Sequence, residues 1–209
     1  MMLARYKKET DLKYHRVLPR FARRLTHPTR IQETELGNLY ADILQEGSSF
    51  DLMIIGTGSI RKEELGPIIE YQDMLENTPF DDCLWMLEAD GAKLRGMVLH
   101  FLRDDAWTGH PEFYQFSRGM RIRCSRSTHE LKEFSFHGKP IEDRDHITFA
   151  LQNYHFTNFD EFMGVPLAEI SQNRKPRVAA TSIHNIYVEY FITHTGLDVR
   201  VEGRLIIED

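Results

Sequence analysis

The chain has 209 residues, of which 41% are hydrophobic and 11% aromatic, enough for one sizeable domain with a packed core and too many for global disorder. No apolar run approaches the roughly 18 residues of a membrane-spanning helix, no apolar h-region follows Lys7 and Lys8 as in a signal peptide, and two cysteines, Cys83 and Cys124, exclude a disulfide scaffold or a cysteine-based zinc site. The net charge of −6 hides an asymmetry: residues 1–30 hold nine basic and two acidic side chains, and the remainder holds 17 basic and 30 acidic.

A basic arm on an acidic body suits a nucleic-acid tail, or else a solvated helix or a segment docked on that body. Leu3, Tyr6, Val17, Leu18, Phe21 and Leu25 speak against the tail, because a pure tail would lack them. Residues 2–15 read as a modest helix that ends before Pro19. Residues 20–26 read as an edge strand, and His27-Pro28-Thr29 as a turn. Leu36, Leu39, Tyr40, Ile43 and Leu44 line one face of a helix, with Thr34 as its N-cap and Gly47 beyond its end. Residues 51–55 form a buried strand running into Gly56-Thr57-Gly58. Residues 68–71 read as a strand, followed by a short helix ending near Pro79. Residues 83–87 are a strand, and Asp90 caps a helix facing inward through Leu94, Met97, Val98, Phe101 and Leu102.

From residue 113 to 151 the pattern changes to short strands, with turns at Ser127-Thr128 and Gly138-Lys139-Pro140. Ser182 opens a last helix with Ile183, Ile186, Tyr187, Tyr190 and Phe191 on one face, and residues 201–207 close as a strand. Helices and strands mix without a regular βαβ alternation, so the class is α+β.

The chemistry is first visible by what is missing. The ten histidines form no H-E-x-x-H pair, and neither a G-x-S-x-G elbow nor a Walker A lysine is present. The segment Gly56-Thr57-Gly58-Ser59-Ile60-Arg61 suits either a backbone cradle for an anion, with Arg61 adding a guanidinium fork, or an ordinary tight turn. Phe80 after Pro79, and Tyr154 with Asp160 six residues later, suit either core positions or a clamp for a flat heterocycle with a carboxylate for sugar hydroxyls.

The residues also carry a resemblance. The stretch Arg30-Ile31-Gln32-Glu33-Thr34-Glu35-Leu36-Gly37-Asn38-Leu39 is similar to the R-x-x-E-x-x-x-G-N-L opening of the C-terminal domain of the 5′-nucleotidases, a group that includes UDP-sugar hydrolases and 2′,3′-cyclic-nucleotide phosphodiesterases. The loop ending at Arg61 resembles that family's N-G-G-G-I-R, Thr78-Pro79-Phe80 its L-P-F, Asn153-Tyr154 through Asp160 its N-[FY]-…-G-G-D, and Val201-Glu202-Gly203-Arg204 its V-E-G-R. The order is kept throughout. Departures fall at Gly56, Thr57 and Ser59 in the loop, and at Asn158, Phe159 and Glu161 around Asp160.

The resemblance implies a mixed α+β fold in two parts: residues 1–26 as linker helix and arm, and residues 27–209 as a nucleotide-binding domain. It implies that Phe80 and Tyr154 stack on a base, that Asp160 holds ribose hydroxyls, that Arg30 and Arg61 face ribose and phosphate, and that Gly56 and Gly58 shape the loop between. Hydrolysis would belong to an N-terminal metallophosphatase domain of the same protein with two divalent metal ions. That domain's D-x-H, G-N-H-[DE] and G-H-x-H marks are absent here, so no catalytic or metal-binding residue is expected in this chain, which alone would be inactive. A start within the linker-like helix suits a fragment. The expected partners are a nucleotide or nucleoside and the metal domain, not nucleic acid or a membrane; the alternative is a catalytically inactive nucleotide-binding or interaction module.

Overall fold

The computed structural model describes residues 14–209 except Pro19, residues 109–111 and Asn173. The helix expected over residues 2–15 lies almost wholly outside the described residues. The strands are β1 (Val17–Leu18), β2 (Leu25–Thr26), β3 (Leu52–Gly56), β4 (Glu64–Leu65), β5 (Ile69–Glu70), β6 (Leu84–Asp90), β7 (Tyr114–Phe116), β8 (Met120–Ser125), β9 (Leu131–Phe136), β10 (Lys139–Pro140), β11 (His146–Gln152), β12 (Arg177–Ala180) and β13 (Leu205–Glu208). The helices are α1 (Glu35–Gln45), α2 (Tyr71–Asn77), α3 (Gly91–Phe101), α4 (Asn153–Thr157), α5 (Phe159–Met163), α6 (Leu167–Ile170) and α7 (Ile183–Thr193). The class is α+β, as the sequence indicates.

The central sheet has the order β12-β6-β11-β3-β7. Only β11 and β3 are parallel; the other neighbours run antiparallel. Side chains alternate across this sheet, because successive residues of a strand point to opposite faces. Leu52, Ile54, Leu87, Ala89, Phe149 and Leu151 join one core with Leu94, Met97, Val98 and Phe101 of α3. Met53, Ile55, Leu84, Met86 and Ala150 join a second core with α1 and α7. The sheet is therefore buried on both faces, which is why 52–56 reads as an unbroken apolar run. A second sheet, β10-β9-β8-β13, lays Met120, Ile122 and Phe134 onto the first core.

Local signals place the caps. Thr34 Oγ1 accepts the Gly37 N–H at 3.0 Å, and Asp90 Oδ1 accepts the Lys93 N–H at 2.8 Å. Gly47 adopts φ +71°, a left-handed conformation that stops α1 at little cost to glycine. The described part of the basic arm is docked: Leu18, Phe21 and Leu25 are buried, and Arg23 binds Glu35 and Asp198.

Three expectations shift. The strand expected over residues 20–26 is reduced to β2, and Val17–Leu18 before the proline pairs with β5 instead. The strand over 68–71 is only Ile69–Glu70, because α2 already starts at Tyr71. The closing strand begins at Leu205 rather than 201, since Gly203 at φ +74° breaks the extended backbone just before it.

The motif residues at the two ends of the chain meet in space. Glu33 Oε1 accepts from Asn38 Nδ2 at 2.7 Å and from the Glu202 N–H at 2.8 Å. Arg204 reaches Asp42 on α1. These contacts make Glu33, Asn38 and Arg204 structural ties between α1 and the closing strand.

Candidate functional site

The topology brings one edge of the central sheet together. The parallel pair β3 and β11 ends at Gly56 and Gln152, while the antiparallel strands β6 and β7 begin there, after the 78–83 loop and Glu112 respectively. The carboxyl ends of parallel strands are a common place for ligand crevices. An open cleft of about 850 Å³ lies at this edge, and its walls include Arg30, Gly58, Arg61, Phe80, Glu112 and Tyr154.

Five of the seven residues singled out in the sequence thus share one cleft: Arg30, Gly58, Arg61, Phe80 and Tyr154. Phe80 is 50% exposed and Tyr154 57%. Among the described side chains, no other Phe, Tyr or Trp is exposed. The Arg61 guanidinium lies 5.1 Å from the Phe80 ring centroid, a cation–π distance. The two ring-bearing segments are tied to each other: Asp82 Oδ2 accepts the Tyr154 N–H at 3.0 Å, and Cys83 O accepts the Asn153 N–H at 2.9 Å. The Phe80 loop is also pinned to the start of α7, where Asp81 Oδ1 accepts from Ser182 Oγ at 2.7 Å.

The other two residues sit elsewhere. Gly56 is buried behind the cleft, and its missing side chain makes room for His155: a Cβ there would lie 2.5 Å from His155 Nε2. Asp160 is not part of the cleft wall; its Oδ1 accepts the Leu167 N–H at 2.6 Å. The reason is local. Phe159 and Met163, one helical turn apart, are the buried residues of α5, and this turns the exposed Asp160 away toward the following loop.

The glycine-rich loop also differs from an anion cradle. The Thr57 N–H goes to Phe113 O, the Gly58 N–H to Glu112 Oε1, the Ile60 N–H to Thr57 O and the Arg61 N–H to Asn77 O. Glu112, a residue the sequence reading passed over, fills the place an external anion would take. Burial pushes its carboxyl up, but His155, the Gly58 N–H and the Arg30 charge outweigh burial and hold it below the ordinary carboxylate range. Gln152, at the end of β11, is buried and accepts from Ser59 Oγ at 2.8 Å. Its position at the carboxyl end of a strand beside the loop was the one available sequence signal for it. Among the described residues, no group of three or more His, Cys, Asp or Glu side chains is placed to hold a metal ion.

The family model for "5′-nucleotidase, C-terminal domain" matches residues 14–166. The chain belongs to the 5′-nucleotidase C-terminal domain family. No curated protein matches the sequence. Solved structures share the fold of this 5′-nucleotidase C-terminal domain. A 5′-nucleotidase precursor from Thermus thermophilus superposes with a TM-score of 0.81 at 16% identity, over 99% of this chain and 42% of its own. The NAD nucleotidase of Haemophilus influenzae gives 0.77 at 14% identity, over 99% and 40%. A sulfate thiohydrolase from Thermus thermophilus gives 0.72 at 13%, over 99% and 37%. The chain thus spans about two fifths of the length of the solved proteins it matches.

Proposed function

We propose that this domain grips the base and sugar of a nucleotide in the Phe80–Tyr154 cleft, and orients its phosphate for hydrolysis by an N-terminal metallophosphatase domain of the same protein. The observation that carries this reading is the pair of exposed rings on one cleft, with two arginines, Arg30 and Arg61, on the same wall. An aromatic ring held half in water gains by stacking on a flat heterocycle. The arginines supply charge and planar donors for a phosphate or ribose oxygen. Two divalent metal ions in the other domain would supply an activated water and neutralise charge on the phosphoryl group. This chain's residues supply position: the bonds from Asp82 to the Tyr154 backbone and from Asp81 to α7 set the base-binding rings before ligand arrives, which lowers the entropy cost of binding.

Calorimetric titration of adenosine, guanosine, cytidine, uridine and their monophosphates into the chain tests the reading. Phe80→Ala and Tyr154→Ala are each expected to weaken nucleoside binding by about 1–3 kcal/mol, roughly five- to 150-fold, with little change in folding stability because both rings are exposed. Arg61→Met is expected to affect monophosphates more than nucleosides. A second reading, a binding module without catalysis, is favoured by the closed loop amides. Retained nucleoside binding with no preference for the monophosphates would support it. Absence of any binding would sink both.

A further inference from the structure

The cleft contains one partly buried carboxylate that its surroundings leave half used. Glu112 Oε1 accepts from the Gly58 N–H at 2.6 Å and faces Thr57 Oγ1 at 3.4 Å. Glu112 Oε2 receives no hydrogen bond from the described residues; the nearest His, Lys or Arg nitrogen among them is His155 Nε2 at 3.9 Å, beyond hydrogen-bond distance. An ionised carboxylate accepts about four hydrogen bonds, so the outer oxygen has capacity to spare. Of the other two carboxylates on the cleft wall, Asp82 takes the Cys83 and Tyr154 N–H groups on its two oxygens, and Asp81, which is exposed to water, takes Ser182 Oγ and the His184 N–H on Oδ1. Asp160 is turned away.

The surroundings of Glu112 are built around it. The His155 side chain is 2% exposed, and neither ring nitrogen has a hydrogen-bond partner among the described residues. Buried polar groups are nearly always satisfied, so an imidazole beside the cleft with both nitrogens unpaired calls for an explanation. Both loop glycines are needed to seat the two side chains. A Cβ on Gly58 would lie 2.8 Å from Glu112 Oε2, and one on Gly56 would overlap the His155 ring. The spacing of glycines that resembled an anion cradle instead brings a protein anion to the cleft, with one oxygen anchored and one open.

We propose that Glu112 is a specificity-determining residue of this cleft, whose outer oxygen accepts a hydrogen bond from a donor on the bound nucleoside. The donor is the 2′- or 3′-O–H of the ribose or an N–H of the base. His155 acts as a positioning residue behind it. This inference rests on the nucleoside-binding reading above.

The test pairs Glu112→Gln, which keeps the size and an oxygen for Gly58, with ligands from which donors are deleted. Calorimetry would compare guanosine and adenosine with 2′,3′-dideoxyguanosine, 2′,3′-dideoxyadenosine and purine riboside, the last lacking base N–H donors. The expected result is a loss of about tenfold or more for the preferred parent nucleoside in E112Q, and a much smaller loss for the analogue missing the donor. Convergence on the dideoxy analogue assigns the ribose; convergence on purine riboside assigns the base. Equal affinity of both proteins for every ligand overturns the proposal, as does an equal loss for every ligand. Should E112Q melt early, Glu112→Asp provides the second variant, with the same ligand-dependent pattern expected. If the unaltered chain binds no nucleoside, both this inference and the reading beneath it fall; if it binds and only the pattern is missing, this inference alone falls.

Discussion

Replacing Arg204 with methionine is expected to cost about 3–5 kcal/mol of folding stability. The side chain is fully buried, and all five guanidinium N–H groups are used. Nη1 and Nη2 donate to the two Asp42 oxygens at 2.6 and 2.7 Å, Nη1 also to Phe116 O at 2.9 Å, and Nε and Nη2 to Glu202 Oε2 at 3.1 and 3.0 Å. The methionine would fill most of the volume and leave a nearly buried Asp42 carboxylate without its main partner. Arg118 offers the control. It touches the same carboxylate at 3.3 Å, but its side chain is 68% exposed. Arg118→Met should therefore cost less than about 1 kcal/mol. Urea midpoints of the two variants decide the matter: a loss for Arg204→Met no larger than that for Arg118→Met would refute the argument. The double variant Arg204→Met/Asp42→Leu should recover part of the loss, because it removes the stranded charge along with its partner.

The parts of this fold that were legible in the sequence are those fixed by near neighbours along the chain. Thr34 and Asp90 cap their helices through an N–H three residues on, and the inward face of α1 follows from its spacing. The cleft was legible in five residues, Arg30, Gly58, Arg61, Phe80 and Tyr154, through the order of its motifs. Asp160 shows where that reasoning stops. A family pattern gives a residue type at a position, but the direction of the side chain depends on which neighbours are buried. Here Phe159 and Met163 decide it. Glu112 shows a different limit. Its carboxylate meets Gly58 across 54 residues of chain, and it gives no local periodicity or cap to betray it. That contact takes the Gly58 N–H, while Phe113, Thr57 and Asn77 carbonyls take the Thr57, Ile60 and Arg61 N–H groups, so the closed loop also rests on contacts that are mostly non-local. Arg204 belongs with these non-local cases, since its fork joins α1, β7 and the closing segment.

Acid is expected to unfold this domain earlier than its carboxylates alone would require, and His27 is the reason. The ring is buried, with Nδ1 2.8 Å from Thr34 Oγ1. Burial, assisted by the Arg30 charge, pushes its pKa down from the usual 6.5 to about 4. The folded state thus resists a proton that the unfolded chain takes readily. The sign follows: stability is full above about pH 6.5, falls as the unfolded chain gains the proton, and stops falling from this source below about pH 4. The loss is about 2 kcal/mol by pH 5 and about 3 kcal/mol in all. His100, also pushed down by burial and by Arg103, adds in the same direction. The carboxylates held low, Glu35, Asp73 and Glu112 among them, contribute only as pH falls through and below their ordinary range near 4. Urea unfolding of the chain and of His27→Gln at pH 7.5 and pH 5 separates the groups. The variant should lose about 2 kcal/mol less over that interval, whatever its stability at pH 7.5; identical losses would remove His27 from the account. The consequence reaches the cleft, because His27 holds the hydroxyl that caps α1 and Arg30 lies in the turn between them. The folded domain keeps His27 neutral down to about pH 4, so this support of the Arg30 wall, and any ligand affinity that depends on it, should hold to about that pH in the unaltered chain while folding stability is already falling.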